Sequence, residues 1–161
     1  MIRPATPHDA PALRAIDHHG WSSLHSPVPR PALDGPFETE LVLVDERDGE
    51  IAGYIARGDM WPLEAVTHVR EIKALAVAPA FYRQGVGRAL LETVINEARQ
   101  DGTRKVTLRV LGHNTPAQAL YKALGFVEEG NLRGLFLLDG TYVDDVIMSF
   151  NLTTDGSAAS N

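Results

Sequence analysis

The sequence contains no cysteine and no long apolar run. The absence of cysteine excludes a disulfide framework, a thiolate-bound metal and a cysteine nucleophile. No stretch of about 18 or more apolar residues occurs, so we expect no membrane-spanning helix. The first residues also lack the apolar segment that a secretory signal needs. These absences predict a cytoplasmic protein that does not bind membranes.

Positive charge is scarce overall but concentrated in the middle of the chain. The net charge of −6 argues against general nucleic-acid binding. Residues 1–69 hold 5 basic and 11 acidic side chains, residues 70–130 hold 9 and 6, and residues 131–161 hold 1 and 4. A basic middle between acidic flanks indicates an anionic ligand in the middle and a cationic one near the flanks. The alternative is ordinary solvated surface charge.

The first half of the chain mixes strand and helix patterns. The 161 residues predict one domain, residues 1–150, with a disordered tail at 151–161. A helix with an apolar face is predicted after the opening strand, and a proline-rich loop follows it. The predicted elements are a strand at Ile2-Arg3, a helix over 7–18, a loop over 20–36, and strands over 40–45, 50–57 and 68–77, the first two of these joined by a hairpin at 47–49.

The second half begins with the clearest helix. Val86, Leu90, Val94 and Ala98 repeat at four-residue spacing, and Gly102 follows the end of that pattern. A strand over 105–111 leads to a second helix. The later elements are a helix capped by Asn114 or Thr115, with Pro116 first and Gly125 at its end, and two strands within 126–150 joined at Asp139-Gly140.

A glycine turn, residues 83–88, joins the strand over 68–77 to the long helix. Glycine lets a ligand approach the backbone, and the free N–H groups of a helix start attract phosphate. The alternative is a tight turn without a ligand. A dinucleotide fingerprint is excluded, because Leu90 stands where the third glycine belongs and no carboxylate follows on the next strand. The Gly-Lys-Ser/Thr of a Walker loop is absent too.

The order of these motifs resembles the GCN5-related N-acetyltransferase (GNAT) family over most of the chain. The densest similarity runs from Glu71-Ile72-Lys73-Ala74-Leu75-Ala76-Val77 through the glycine turn to Asn114 and the segment 119–126, which contains Leu120-Tyr121 and Leu124-Gly125-Phe126. One position departs from the family pattern: Tyr82 stands three residues before the first glycine, where the family usually has Gln or Arg.

The resemblance implies an α+β fold in three layers, with a mostly antiparallel central sheet flanked by helices and splayed between its two central strands. It also implies acetyl transfer from acetyl-coenzyme A to a primary amine, by direct attack in a ternary complex. A non-catalytic acyl-coenzyme A sensor is the alternative. The coenzyme-binding residues that the resemblance implies are Leu75, Ala76, Val77, Arg83, Gln84, Gly85, Val86, Gly87, Arg88 and Asn114.

Two catalytic residues follow from the same resemblance. Tyr121 matches a tyrosine that lies near the coenzyme sulfur and is the candidate acid; the alternative is a core tyrosine. Glu71 stands 14 residues before Gly85 and matches the base of the histone-acetylating branch; the alternative is an exposed residue paired with Arg70 or Lys73. The ribosomal-protein branch instead has a glutamate on the next strand, where this chain has Arg109.

The acceptor is an amine of a small molecule or a peptide, and its identity stays open. The family builds the acceptor groove from the loop over 20–36 and the final hairpin. The acidic flanks predict a cationic acceptor, and a homodimer is compatible with the family. None of the six histidines has the spacing of a metal site, so no metal is expected. Candidate groove walls are Trp21, Phe37, Phe136 and Tyr142, and candidate ammonium partners are Asp139, Asp144, Asp145, Glu38 and Glu40.

Overall fold

The computed structural model describes residues 1–34 and 36–152. It contains seven strands and three α-helices within that range. The strands are β1 (Ile2–Pro4), β2 (Val42–Arg47), β3 (Glu50–Asp59), β4 (Val69–Val77), β5 (Lys105–Leu111), β6 (Val127–Leu138) and β7 (Thr141–Asn151). The helices are α1 (Ala10–Gly20), α2 (Val86–Gln100) and α3 (Thr115–Leu124).

All seven strands form one sheet in the order β1-β2-β3-β4-β5-β7-β6. Neighbouring strands are antiparallel except β4 and β5, which are parallel. The chain crosses from β4 to β5 through α2, because a parallel pair needs a long connection. The predicted mostly antiparallel central sheet is confirmed.

Helices pack on both faces of the sheet and give it the predicted three layers. On one face, α2 and α3 cover a core that includes Leu90, Leu108 and Met148. On the other face, α1 packs on β3 and β4 around Leu13 and Tyr54. No helix of the described chain covers the β5-β7-β6 half of this second face. That half, the open face, leaves side chains of the sheet available beside α1.

Tight turns place the strands as the sequence predicts. Asp48 and Gly49 have φ angles of 52° and 83°, and Asp139 and Gly140 have φ angles of 49° and 78°. Two successive positive φ angles are the signature of a type I′ hairpin turn, whose twist matches that of the flanking strands. Both predicted hairpins are therefore confirmed.

Several predicted boundaries shift by a few residues. The first helix opens with a 3₁₀ turn over Pro7–Asp9 and α1 ends at Gly20, beyond the predicted 18. The strand predicted over 40–45 begins at Val42. Asn151 belongs to β7, and Leu152 is buried with its N–H donating to the Arg104 carbonyl at 2.8 Å. The predicted tail therefore loses its first two residues to the fold, and its remainder, 153–161, lies outside the described residues.

No helix in the described part of the chain is both long enough and apolar enough to cross a membrane.

Candidate active site

The two central strands diverge after a short stretch of pairing. β4 and β5 pair through three residues only, and Glu71 opposite Thr107 is the last pair. Beyond it, β3 holds β4 as far as Val77 and β7 holds β5 as far as Leu111. The strands open into a wedge, residues 72–77 of β4 and 108–111 of β5, whose inner backbone edges have no strand partner among the described residues. The predicted splay is confirmed.

The glycine turn lies at the open end of this wedge. Arg83 and Gly85 have φ angles of 61° and 77°, and α2 begins at Val86. The N–H of Ala89 is the first to bond back into the helix, to the Gly85 carbonyl at 3.0 Å. The N–H groups of residues 86–88 therefore have no partner within the helix. A Cβ on Gly85 would meet nothing within 4 Å, so a phosphate has room to approach.

Two exposed cations lie at the turn. Arg83 makes no hydrogen bond or ion pair with any described residue, and Arg88 pairs with Glu92 at 2.9 Å on the surface of α2. Surface pairs of this kind contribute little and exchange readily. Both guanidinium groups are thus available to an anion at the start of α2.

Tyr82 and Gln84 have local roles at the turn. The Tyr82 hydroxyl lies 3.5 Å from the position that a Cβ of Gly20 would occupy, so this side chain extends toward the end of α1. The Gln84 amide donates to the Ala80 carbonyl at 3.0 Å. Since Tyr82 extends away from the helix start, the polar groups exposed there are backbone N–H groups and arginines.

Helix α3 meets the wedge where α2 begins. A Cβ on Gly87 would lie 3.5 Å from Leu120, 3.8 Å from Val77 and 3.9 Å from Leu75. Asn114 is buried and caps α3, its side-chain oxygen accepting the Ala117 N–H at 3.3 Å. The N-terminal end of α2, β4 and α3 therefore pack against one another at Gly87.

Tyr121 lies on α3 on the α2 side of the sheet. Its side chain is 8% exposed, and its ring contacts Phe126 with 5.8 Å between centroids. The hydroxyl has no hydrogen-bond partner within the described residues. Burial raises the pKa of Tyr121 to about 12, which keeps the hydroxyl protonated at neutral pH and able to donate a proton.

Glu71 lies on the opposite side of the sheet. Its neighbour Ile72 packs in the core under α2, so alternation along β4 directs Glu71 to the face that carries α1. The alternative pairing with Arg70 does not form, because Arg70 pairs with Asp101. Glu71 is half-buried and forms no ion pair among the described residues. Its carboxylate is available at the apex of the wedge.

Arg109 and Asp145 form an ion pair on the open face that sequence reasoning missed. The Arg109 guanidinium lies 3.3 Å from the Asp145 carboxylate, and the two side chains are 54% and 4% exposed. The Oδ2 atom of Asp145 is buried without a hydrogen bond. Burial raises the pKa of the Asp145 carboxyl, and Arg109 opposes that change. The only sequence signal for this pair is the alternation of side chains along β5 and β7, which places both residues on the face away from α2.

Asp144 has a different environment from its neighbour. Its carboxylate accepts the Gly134 N–H at 2.8 Å and the Asn131 amide at 3.0 Å. These hydrogen bonds lower the pKa of Asp144. The residue therefore stabilises the β6–β7 hairpin, and Asp139 occupies a turn position. The sequence-based assignment of these two carboxylates to an ammonium group gains no support from their geometry.

The loop after α1 lies over the ends of both central strands. His113, which follows β5, hydrogen-bonds to the Ser23 carbonyl at 2.9 Å. The Trp21 indole donates to the Val28 carbonyl at 2.8 Å. This loop, residues 21–34, therefore lies beside the end of β5.

The other residues predicted to line the acceptor groove do not share one environment. Phe37 packs edge-to-face on Tyr54, with centroids 5.4 Å apart, in the core beneath α1. Tyr142 is 74% exposed near the tip of the β6–β7 hairpin. Phe136 lies opposite Val143 in the same hairpin. Trp21 alone has a contact that orders the loop beside the wedge.

A cavity of about 260 Å³ lies on the open face beside the apex of the wedge. Thr107 and Ile147 line its near end, and Met60 and Val69 add apolar surface. A Lys105–Glu129 ion pair lies at its far end. A larger cavity of about 470 Å³ lies near the C-terminal end of α2, away from the glycine turn. No group of three metal-ligating side chains occurs within the described residues.

Comparison with known proteins agrees with this geometry. The sequence pattern of the Acetyltransferase (GNAT) family matches residues 10–126. The phosphinothricin N-acetyltransferase of Alcaligenes faecalis is 32% identical over 165 residues, covering 91% of this chain and 80% of that protein. The [ribosomal protein bS18]-alanine N-acetyltransferase of Escherichia coli K12 is 38% identical over 79 residues, covering 49% of this chain and 53% of that protein.

A solved structure extends the similarity to the whole fold. A putative acetyltransferase of Salmonella typhimurium, solved with its cofactor acetyl-CoA, superposes with a TM-score of 0.81. The two sequences are 23% identical, and the match covers 100% of this chain and 98% of that one. Together with the family match over residues 10–126, the open glycine turn and the wedge lead to one conclusion: the chain belongs to the acetyltransferase (GNAT) family.

Proposed function

We propose that this acetyltransferase moves the acetyl group of acetyl-coenzyme A directly to a primary amine while both substrates are bound. The observation that carries the proposal is the wedge between β4 and β5, with the glycine turn at its open end and with Tyr121 and Glu71 on opposite sides of the sheet. Direct attack also suits a chain without cysteine, since no thiol is available to carry the acetyl group.

The geometry of the turn supports the proposed donor site. The N–H groups of residues 83–88 bind the pyrophosphate, with Arg83 and Arg88 adding positive charge. The backbone of Leu75, Ala76 and Val77 pairs with the pantetheine amides, as an added strand pairs with a sheet edge. This assignment is supported by the unpartnered edge of β4. Gln84, Val86, Gly87 and Asn114 complete the proposed donor site.

The chemistry makes two demands on the residues of the wedge. An alkyl ammonium with a pKa near 10.4 must lose a proton before attack, which costs roughly 4–5 kcal/mol at neutral pH. Glu71 takes that proton, and the neutral amine then attacks the carbonyl carbon to form the N–C bond. The nitrogen of the resulting tetrahedral intermediate releases a second proton, which replaces the one that Tyr121 donates. Tyr121 gives a proton to the sulfur as the C–S bond breaks, so free coenzyme A leaves as a thiol. The two residues lie on opposite faces, so each reaches one side of the reacting carbon.

The acceptor is a primary amine, and two classes compete. The acidic flanks favour a cationic small molecule or a basic peptide. However, Asp144 is engaged within its hairpin and Asp145 pairs with Arg109, so the nearest candidate partners for a second ammonium group are already used. The second class, a free amino acid or an amino-terminal residue, is supported by relatives that are named for phosphinothricin and for a protein alanine.

A panel of amines tests the proposed function. We expect coenzyme A to be released from acetyl-coenzyme A when amino acids, polyamines, amino sugars and short peptides are supplied, and one acetyl group to appear on the best acceptor by mass spectrometry. Because the chain has no cysteine, a thiol reagent reports coenzyme A without background. Binding of acetyl-coenzyme A without transfer to any amine would instead support a non-catalytic sensor.

A further inference from the structure

Arg109 lies beside the apex of the wedge on the open face. It is two residues past Thr107, the last partner of β4, which is about 7 Å along the strand. Alternation places Arg109, Thr107 and Glu71 on the same face, because Val106 and Leu108 pack in the core under α2. Arg109 therefore lies one strand across and two residues along from Glu71, on the same face of the sheet.

Asp145 holds this guanidinium group in place. Arg109 pairs directly with Ile147 on β7, and Asp145 is diagonal to it, opposite Leu111. The Asp145 side chain is 4% exposed, and its Oδ2 has Arg109 as its charged neighbour at 3.3 Å. A buried carboxylate that has no hydrogen bond is costly unless a cation stays beside it. The pair therefore restrains Arg109 to this part of the open face.

Most of the N–H donors of Arg109 remain available to a ligand. A guanidinium group has five N–H donors in a planar fork. The contact with Asp145 involves one of its nitrogens, NH1, and Arg109 makes no other hydrogen bond or ion pair with the described residues. The side chain is also 54% exposed. The remaining donors suit the two oxygens of a carboxylate, which arginine binds in a bidentate manner.

We propose that the acceptor is a free α-amino acid or an analogue of one, whose carboxylate binds to Arg109 while its amino group lies at Glu71. Asp145 is a positioning residue that keeps Arg109 oriented. This inference rests on the proposed function and specifies its acceptor. It disfavours polyamines, which have no anionic group, and peptide amino termini, in which an amide replaces the carboxylate next to the reacting amine.

The cavity of about 260 Å³ on the open face can hold the side chain of the acceptor. It begins at Thr107 and Ile147, directly beside Arg109, and includes Met60 and Val69. Its volume of about 260 Å³ accommodates the side chain of an amino acid and little more. The apolar residues at the near end favour a side chain with an apolar stem.

The test compares an amino acid with derivatives in which the negative charge of the carboxylate has been removed. The best amino acid of the panel, its amide and its methyl ester are supplied to the wild-type enzyme with saturating acetyl-coenzyme A. We expect the amide and the ester to show kcat/KM values at least about tenfold lower, because each loses a charge-assisted pair of hydrogen bonds.

Substitutions in the protein then show which residues produce the preference for the acid over the amide. Arg109→Gln is expected to raise the KM of the amino acid about tenfold or more and to bring acid and amide to equal kcat/KM. The KM for acetyl-coenzyme A should not change. Asp145→Asn should change the acceptor KM in the same direction, and Asp144→Asn, on the adjacent residue, should leave the preference intact. Because Arg109 is more than half exposed, its replacement tests the proposal even if Asp145→Asn does not fold.

The outcomes separate this inference from the proposed function. If some amine is acetylated but the amide matches the acid, or a polyamine or peptide exceeds both, the Arg109 site is wrong and the acetyltransferase assignment stands. The site is equally wrong if Arg109→Gln lowers the rates with acid and amide by the same factor. If no amine is acetylated, the proposed function fails and the inference falls with it.

Discussion

Replacing Tyr121 by phenylalanine is expected to lower kcat at least about tenfold while leaving the affinity for acetyl-coenzyme A nearly unchanged. A positioned acid contributes about 10²–10⁴-fold to such a reaction, and the substitution removes only the hydroxyl that supplies the proton. A contact made only in the transition state affects kcat and kcat/KM alike. Steady-state rates at saturating amine, together with coenzyme titration, measure both quantities.

A measurement of thermal stability distinguishes the acid role of Tyr121 from a purely structural role. The Tyr121 side chain is 8% exposed and its hydroxyl has no hydrogen-bond partner among the described residues, so removing the hydroxyl should not destabilise the fold. The ring stays in contact with Phe126. We expect an unchanged or raised Tm together with the slower rate. Tyr142→Phe, on a side chain that is 74% exposed, is the control and should alter neither. A wild-type rate for Tyr121→Phe would remove the acid from the mechanism.

The second large effect is expected at Glu71. Glu71→Gln keeps the size of the side chain and removes the group that accepts the amine's proton, so kcat/KM should fall about 10²-fold or more at neutral pH. Only the small fraction of free amine should then react, so the rate of the variant should rise with pH as the amine itself loses its proton, up to the amine's pKa of about 10.4. A pH–rate profile of both enzymes measures this.

Glu128→Gln is the matched control for this substitution. Glu128 is an exposed residue of β6, so the same change there should leave the profile as in the wild type. If Tyr121→Phe and Glu71→Gln both keep wild-type rates, the proton transfers rely on water or on other residues. Loss of rate without a change in the shape of the pH profile would instead assign Glu71 to binding the ammonium group.

Local sequence signals predicted most of the fold. Asp48-Gly49 and Asp139-Gly140 form the hairpin turns because both central residues adopt positive φ. Asn114 caps α3 and Gly125 ends it with a φ of 105°. These features depend on a few adjacent residues, and the same residue types favour them in any chain. The mostly antiparallel sheet and its splay were predicted from the family resemblance, since strand pairing between distant segments has no local signal.

The site could be predicted only in part, because it depends on strand register. Asp144 and Asp145 are neighbours with the same charge, yet one bonds within its hairpin and the other pairs with Arg109. A shift of one residue would exchange them. The β6–β7 pairing contains two irregularities, so alternation counted along the sequence cannot fix that register. The environment of Glu71 was also not predictable from its neighbours, because Arg70, one of its two alternative partners, pairs with Asp101 just after α2.

The central claim is that acetyl-coenzyme A binds with its pyrophosphate at the glycine turn, and the two glycines that flank α2 test it directly. Gly85 precedes the helix and Gly102 follows it; their φ angles are 77° and 81°, and a Cβ on either meets nothing within 4 Å. Valine at either site therefore introduces similar backbone strain. Only at Gly85 does the added side chain occupy the space assigned to the phosphates.

The decisive measurement is the rise in Tm with acetyl-coenzyme A concentration for the wild type, Gly85→Val and Gly102→Val. A ligand that binds only the folded state raises the Tm according to its affinity. We expect both variants to begin from a similarly lowered Tm, the Gly102 variant to keep the wild-type response, and the Gly85 variant to need at least tenfold more coenzyme. Equal responses from the two variants, or no response of the wild type at millimolar coenzyme, would contradict binding at the glycine turn.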